Sequence, residues 1–307
     1  MSLKKYSFFV LFYNIFVIFI GGVTRATSSG GGYGLTWPFS QSLLNPTASQ
    51  MESAIDFAQQ LISGLAFIFV LVLIVWVYKI YEKKSKIRSA ARFILIFAIF
   101  QIIISAGLVL IKPGGENPHL MRASMITLHF INSFLLLGSN ALMCDWVKDG
   151  EPKKSLINRN AKQLFAMLAL LFLVLGASGT ISSIGDKIFL DIPAMEGIRQ
   201  NSSGENFLYQ LKVYHPIIAV MVGMGIYFIY NNFLKKSINR KLNRYSKYLA
   251  GLFLLQLLLG VLNLILLSPI WLQLIHLLLA EIVWIIFILW INQIVFFGLT
   301  PSLPEKP

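Results

Sequence analysis

Only one cysteine, Cys144, occurs in 307 residues. An intramolecular disulfide is therefore impossible, and thiolate zinc sites and iron–sulfur clusters, which need several cysteines, are excluded with it. Charge is scarce as well: Asp, Glu, Lys and Arg together make up 13 % of the chain, and only 13 residues are acidic. A soluble domain carries about a quarter charged residues. This chain is instead 56 % hydrophobic with a mean hydropathy of +0.71, the composition of a protein that lives in a bilayer.

A spanning helix needs roughly 20 apolar residues. Eight such stretches are predicted, at about 6–23, 54–79, 90–112, 121–146, 160–181, 206–232, 246–268 and 270–296. The first has the Lys4-Lys5 start and the small-residue end of a signal peptide. Its length and the repeat described below predict a retained span.

The formal charge of +13 would suggest a nucleic-acid partner if the basic residues shared a soluble face. They fall instead in three loops and at the ends: 20 of the 26 Lys and Arg lie at 79–92, 148–162, 235–247, Lys4, Lys5 and Lys306. The positive-inside rule places both termini and these loops in the cytoplasm, against anionic lipid head groups and without nucleic acid. The localisation expected is a multi-pass bacterial plasma membrane. The opposite connections at 24–53 and 182–205 are long and rich in Gly, Ser, Pro and Asn, as befits loops that roof a site.

An internal repeat accompanies this topology. Gly21 corresponds to Gly176 and Gln101 to Gln256 at a spacing of 155, Gln59 to His215 at 156, and His129 to His276 at 147. The shorter last spacing reflects the segment Lys112–His119, which the second half largely lacks. With an even number of spans per repeat, the halves share one orientation and are related by an axis along the membrane normal. The expected fold class is all-α integral membrane, as two tandem four-helix bundles. Residues 1–147 form the first half, 148–163 a cytoplasmic linker and 164–307 the second half.

Ionisable groups inside spans point to function. His129, His215 and His276 lie in the fourth, sixth and eighth spans, whereas His119 follows Pro118 in a loop and reads as exposed. His215 and His276 both sit within roughly two turns of the same membrane surface. Two imidazoles facing each other across a four-helix bundle suit bis-histidine haem ligation. Haem outranks other metals, because no cysteine cluster or carboxylate set lies near. Lys212 and Arg199 could hold haem propionates or snorkel to water. Glu281, five residues after His276, is rotated off its face and reads as structural.

These residues resemble the haem A synthase family, the eight-span enzymes that convert haem O to haem A for terminal oxidases. The similarity covers nearly the whole chain. Ile20-Gly21-Gly22-Val23-Thr24-Arg25-Ala26-Thr27 resembles the family's Gly-Gly-x-Thr-Arg signature, and Trp37-Pro38 its outer-loop pair. Leu128-His129 with Asn132–Leu137, Leu211–Pro216, Gln256–Asn263 and Leu274–Glu281 are similar to the motifs of the fourth, sixth, seventh and eighth spans. The resemblance implies a haem b held by His215 and His276, with Lys212 and Arg25 among the cofactor-binding residues. It implies a haem O substrate site in the first half, where Asp56, Gln59 and His129 are the catalytic candidates and His129 a third iron ligand. The implied reaction oxidises the C8 methyl of haem O to the formyl of haem A. The implied partners are haem O synthase and assembly factors of terminal oxidases.

The second span departs from the family pattern. Where the family carries a glutamate and then His-Arg, this chain has Asp56, Gln59 and Gln60. Gln59 is a poor iron ligand beside imidazole, and Gln60 cannot pair with a propionate as guanidinium does. The outer-loop cysteines of part of the family are also absent. Two readings follow: a haem A synthase with a degenerate first-half site, or a haem-binding paralogue with an electron-transfer or assembly role. A secondary transporter built from repeats would explain the architecture but not His215 and His276.

Overall fold

Apolar runs this long can bury their backbone polar groups in a membrane only as helices. The computed structural model describes residues 1–26, 50–110, 118–152, 155, 157–188, 204–234 and 239–297. These residues form α1 (Leu3–Ala26), α2 (Gln50–Ile80), α3 (Lys86–Leu110), α4 (Pro118–Asp149), α5 (Arg159–Ile188), α6 (Gly204–Ile229), α7 (Arg240–Ile265) and α8 (Ile270–Phe297). A π-helical turn, Tyr230–Leu234, continues α6. Among the described residues there is no strand. Among the described residues, seven helices are long and apolar enough to cross a membrane, and α6 adds the apolar stretch Tyr214–Ile229. The chain is a multi-pass, all-α integral membrane protein.

Helix ends follow local chemistry and extend past the apolar runs into the basic residues. Asn239 caps α7 by accepting from the amides of Lys241 and Leu242, so the helix starts at Arg240 rather than at the apolar run from 246. At the end of α4, Gly150 takes φ +92° and its amide donates to the Trp146 carbonyl, a left-handed stop that favours glycine. Leu267 and Ser268 both have φ 57°, turning α7 into α8 over four residues. The first-half counterpart between α3 and α4 is seven residues long, three more than in the second half, and Pro118 and His119 of the extra segment read from the repeat belong to α4 and not to the connection.

Helices α1 to α4 pack in a cycle (α1 on α2, α2 on α3, α3 on α4, α4 on α1), and α5 to α8 pack in the same cyclic order. The two quartets meet through α4 against α5, α6 and α8, and through α1 against α8. Trp284 fills the seam: it is 2 % exposed, its indole N–H donates to the Phe134 carbonyl at 2.6 Å, and its ring stacks on Phe134 with centroids 5.5 Å apart. At the end bearing the basic loops, Asp145 of α4 is gripped from the other quartet. Lys241 Nζ lies 2.8 Å from one of its oxygens, and the Asn292 amide donates to the other at 2.9 Å. Trp146 in turn donates to Asn292 at 3.1 Å.

Candidate functional site

His215 sits just before Pro216 inside α6, where proline cannot donate to the carbonyl one turn earlier. Its ring lies against Gly179 of α5. A Cβ built on that glycine would stand 2.9 Å from His215 Cε1, so only glycine admits the imidazole here. Ser178, the neighbouring residue, has its Oγ 3.0 Å from His215 Nδ1 and donates its own proton to the Leu175 carbonyl at 2.8 Å. A serine has one proton to give, so Oγ accepts and His215 Nδ1 carries the hydrogen. Nε2 is then the nitrogen with its lone pair available.

His276 repeats this arrangement from α8. It packs against a glycine, Gly260, whose notional Cβ would stand 3.4 Å from His276 Cε1. Gln256 of α7 donates to the His276 backbone carbonyl at 3.0 Å and leaves the ring alone; His276 Nδ1 is buried and makes no hydrogen bond among the described residues. His215 and His276 stand on α6 and α8, which both pack against α5 and α7. Two imidazoles in one quartet with coordinating nitrogens unclaimed, each packed on a glycine that brings no polar side chain to the ring, suit a haem held from both faces. The serine behind His215 fixes its tautomer, as supporting groups do for metal-bound histidines.

The first half is wired differently. Gln101 of α3 directs its amide nitrogen at Ser133 Oγ, 2.7 Å away, and at His129 Nδ1, 3.4 Å away. Its amide oxygen accepts from Asn132. An amide nitrogen only donates, so His129 Nδ1 accepts, and the ring's hydrogen lies on Nε2, which meets Ser105 Oγ at 2.9 Å. Both ring nitrogens are occupied by α3. Gln59 of α2 lies against Gly21 of α1, whose notional Cβ would stand 3.3 Å from Gln59 Nε2, and that nitrogen donates to Ser63 at 3.3 Å. Gln59 Oε1 is buried and unpaired among the described residues. Arg25, at the end of α1, interacts electrostatically with His129. Haem ligation by a histidine pair therefore does not fit this half: one position is an amide and the other ring is engaged. Beside the network an apolar groove of about 350 Å³ opens on the outer surface between α3 and α4, lined by Phe100, Ile103, Met125, Leu128 and Leu135, with Asn132 at its polar edge.

The structure thus places His215 and His276 in the second quartet, and Arg25 and His129 in the first, on helices that pack together. Asp56 and Lys212 lie on helical backbone, and so does His119, which stands in the first turn of α4 and not in the loop expected from sequence, but the side chains of all three fall outside the described ones; Trp37, Pro38 and Arg199 also lie outside the described residues. Glu281 is fully buried with both carboxylate oxygens unpaired among the described residues. Sequence reasoning missed Ser178, Gly179, Ser105 and Gly260. A signal existed for the last two, which stand four residues after the repeat-related Gln101 and Gln256. Thr24 and Thr180 carry the repeat into α1 and α5: they are 156 residues apart, and each hydroxyl donates to the carbonyl four residues earlier at 3.1 Å.

Comparison with known proteins gives the family. Residues 4–288 match the COX15-CtaA family, described as "Cytochrome oxidase assembly protein". A Thermus thermophilus protein named "Protoheme IX farnesyltransferase" is 36 % identical over 290 residues, covering 93 % of this chain and 47 % of the relative. A "Heme A synthase" of an Exiguobacterium species is 25 % identical over 162 residues, covering 52 % of this chain and 51 % of the relative. That of Halalkalibacterium halodurans is 27 % identical over 152 residues, covering 49 % and 48 %. The chain spans about half the length of the curated relatives it matches. With a family match over nearly all of its helices, haem A synthases among its relatives and two open, glycine-flanked histidines in its second half, the chain belongs to the COX15-CtaA family of cytochrome oxidase assembly proteins, as a divergent member of the haem A synthase family.

Proposed function

We propose that this chain is a haem A synthase-type membrane oxidoreductase. It holds haem b in its second half between His215 and His276, and takes haem O in its first half for oxidation of the C8 methyl to the formyl of haem A. The observation that carries the reading is the pair of imidazoles with unclaimed coordinating nitrogens, His215 oriented by Ser178 and both rings flanked by glycine. The matching cycles of helix contacts support two four-helix halves related by an axis along the membrane normal, with boundaries near 147 and 164. The basic loops support cytoplasmic termini.

When bound, the haem iron supplies electron transfer and oxygen chemistry. The chain's own part is to orient and enclose. His215 and His276 would hold the resident haem. In the first half Arg25 would offer a cation to a propionate, and the apolar surface groove between α3 and α4 suits the isoprenoid tail that distinguishes haem O from haem b. Haem O synthase and oxidase assembly factors are the partners this reaction requires. The name borne by the Thermus relative refers to a protein of which this chain covers 47 %, and the prenyl-transfer activity is not carried over here.

Purified protein from haem-supplied membranes is expected to show a low-spin b-type spectrum, lost in His215→Ala and in His276→Ala. A haem-free wild type would sink the reading. Co-expression with a haem O source, followed by pigment extraction, is expected to yield haem A. Normal haem b content without haem A would support the second reading, a haem-binding paralogue without oxidase activity, which the presence of Gln59 favours.

A further inference from the structure

We infer that the first half receives its porphyrin substrate without axial histidine ligation, because Ser105 and Gln101 take His129 out of the ligand set. This rests on the functional reading above, and it assigns His129 a different role from the iron ligand expected from sequence.

The inference follows from comparing equivalent positions in the two halves. Each half has a glutamine on its third helix, Gln101 on α3 and Gln256 on α7, and each has a histidine on its fourth, His129 on α4 and His276 on α8. Gln256 spends its amide on the His276 backbone carbonyl, and the residue one turn later is Gly260, which offers the ring no hydrogen-bonding side chain. Gln101 spends its amide on Ser133 and on the His129 ring, and the residue one turn later is Ser105.

The proton count then places His129 and His215 in opposite tautomers. His215 carries its hydrogen on Nδ1, facing Ser178, and keeps Nε2 for a metal. His129 carries its hydrogen on Nε2, facing Ser105, while Nδ1 accepts from Gln101. A protonated imidazole nitrogen has no lone pair to give to iron, and the other lone pair is already engaged. The network is closed around the ring: Asn132 donates to Gln101 and to the Phe97 carbonyl, and Ser133 donates to the His129 carbonyl. Turning the ring toward a substrate would break bonds from two helix positions at once. Across the bundle, the counterpart of His215 is Gln59, which offers an amide. The first half therefore presents hydrogen-bonding groups, the Arg25 cation and an apolar wall to a porphyrin, and Gln101, which can only donate to Nδ1, is the positioning residue that decides it, with Ser105 taking the Nε2 hydrogen.

The test titrates purified full-length protein with ferric protoporphyrin IX and follows stoichiometry and spin state. In the wild type the one low-spin haem per chain is expected to vanish in His276→Ala and to persist unshifted in His129→Gln. Any second equivalent is expected to be high-spin and indifferent to His129→Gln. A second low-spin haem that His129→Gln abolishes would overturn the inference. Loss of all low-spin haem from the wild type would overturn the parent reading instead, and the dependence of any first-half haem on His129 would still decide the inference.

A gain-of-ligation variant supplies a readout that a merely structural role for Gln101 would not move. Gln101→Leu combined with Ser105→Gly and Gln59→His removes both partners of the His129 ring and is expected to add a second, His129-dependent low-spin equivalent. Ser105→Gly with Gln59→His keeps the Gln101 donor at Nδ1 and is expected not to add it. Equal low-spin gain with and without Gln101 would overturn the role given to Gln101. Should these variants fail to fold, the wild type against His129→Gln carries the test alone.

Discussion

The Ser178 hydroxyl and His215 Nδ1 lie 3.0 Å apart, joining α5 to α6 behind the imidazole. Ser178→Ala removes the acceptor that fixes the tautomer, and groups in this position are worth roughly 10–100-fold in metal affinity. Haem retention measured by titration is expected to fall by about that factor, with partial recovery in Ser178→Thr. Gly179→Ala reaches the same ring by volume alone. Its Cβ would meet His215 Cε1 at 2.9 Å, so the Soret band is expected to shift toward high spin with the helical content unchanged.

Asp145 ties the two quartets together at the basic end, through Lys241, Asn292 and Gln293. Its side chain is 5 % exposed, so removing it leaves the Asn292 and Gln293 amides without this acceptor, while Lys241 keeps Asp149 at 2.7 Å. Asp145→Ala is expected to destabilise the folded protein in detergent by about 1–3 kcal/mol, the scale for leaving buried donors unsatisfied. Thermal unfolding checks this, and Asp145→Asn is expected to recover part of the loss.

The seam between halves is tested by Trp284. Trp284→Phe retains the stack on Phe134 and loses the hydrogen bond to its carbonyl, at a cost of about 1 kcal/mol. Trp284→Ala also opens a cavity and is expected to cost about 3–5 kcal/mol. A thermal shift that is the same for both variants would contradict the packing described.

Glu151, in the segment after α4, caps the start of α3 by accepting from Ser85 Oγ and the Lys86 amide at 2.7 Å and from the Ile87 amide at 3.3 Å. Burial alone would raise its pKa, but the Ser85 hydroxyl, the two amides and the Lys86 charge outweigh it and hold the carboxyl below its ordinary value. A depressed folded-state pKa means the cap stabilises the protein fully above the unfolded value of about 4.3. That contribution is lost as pH falls through the folded value. The stability gap between wild type and Glu151→Gln is therefore expected to be constant near neutrality and to close on acidification; a gap unchanged at low pH would contradict the cap.

What the sequence determined by itself was everything that depends on composition and period. Apolar runs of membrane length fix helices, because lipid offers their backbones no other partner, and the repeat from Gln101 to Gln256 and from His129 to His276 was legible as spacing. His215 and His276 stood out because an imidazole in a span needs a reason. The helix ends were less legible: Asn239 and the Leu267-Ser268 turn set them through caps and dihedrals rather than hydropathy.

Only the tertiary structure decided how alike the two histidine sites are. From sequence, His129 and His276 are repeat equivalents. Their difference lies in what a neighbouring helix brings to the ring, Ser105 with Gln101 in one half and Gly260, which has no side chain to bond it, in the other. A hydrogen bond is decided within a few tenths of an ångström between residues more than twenty positions apart, so no one-dimensional pattern carries it. The tautomer of each imidazole, and with it the chemistry each half can offer a haem, is fixed by that contact.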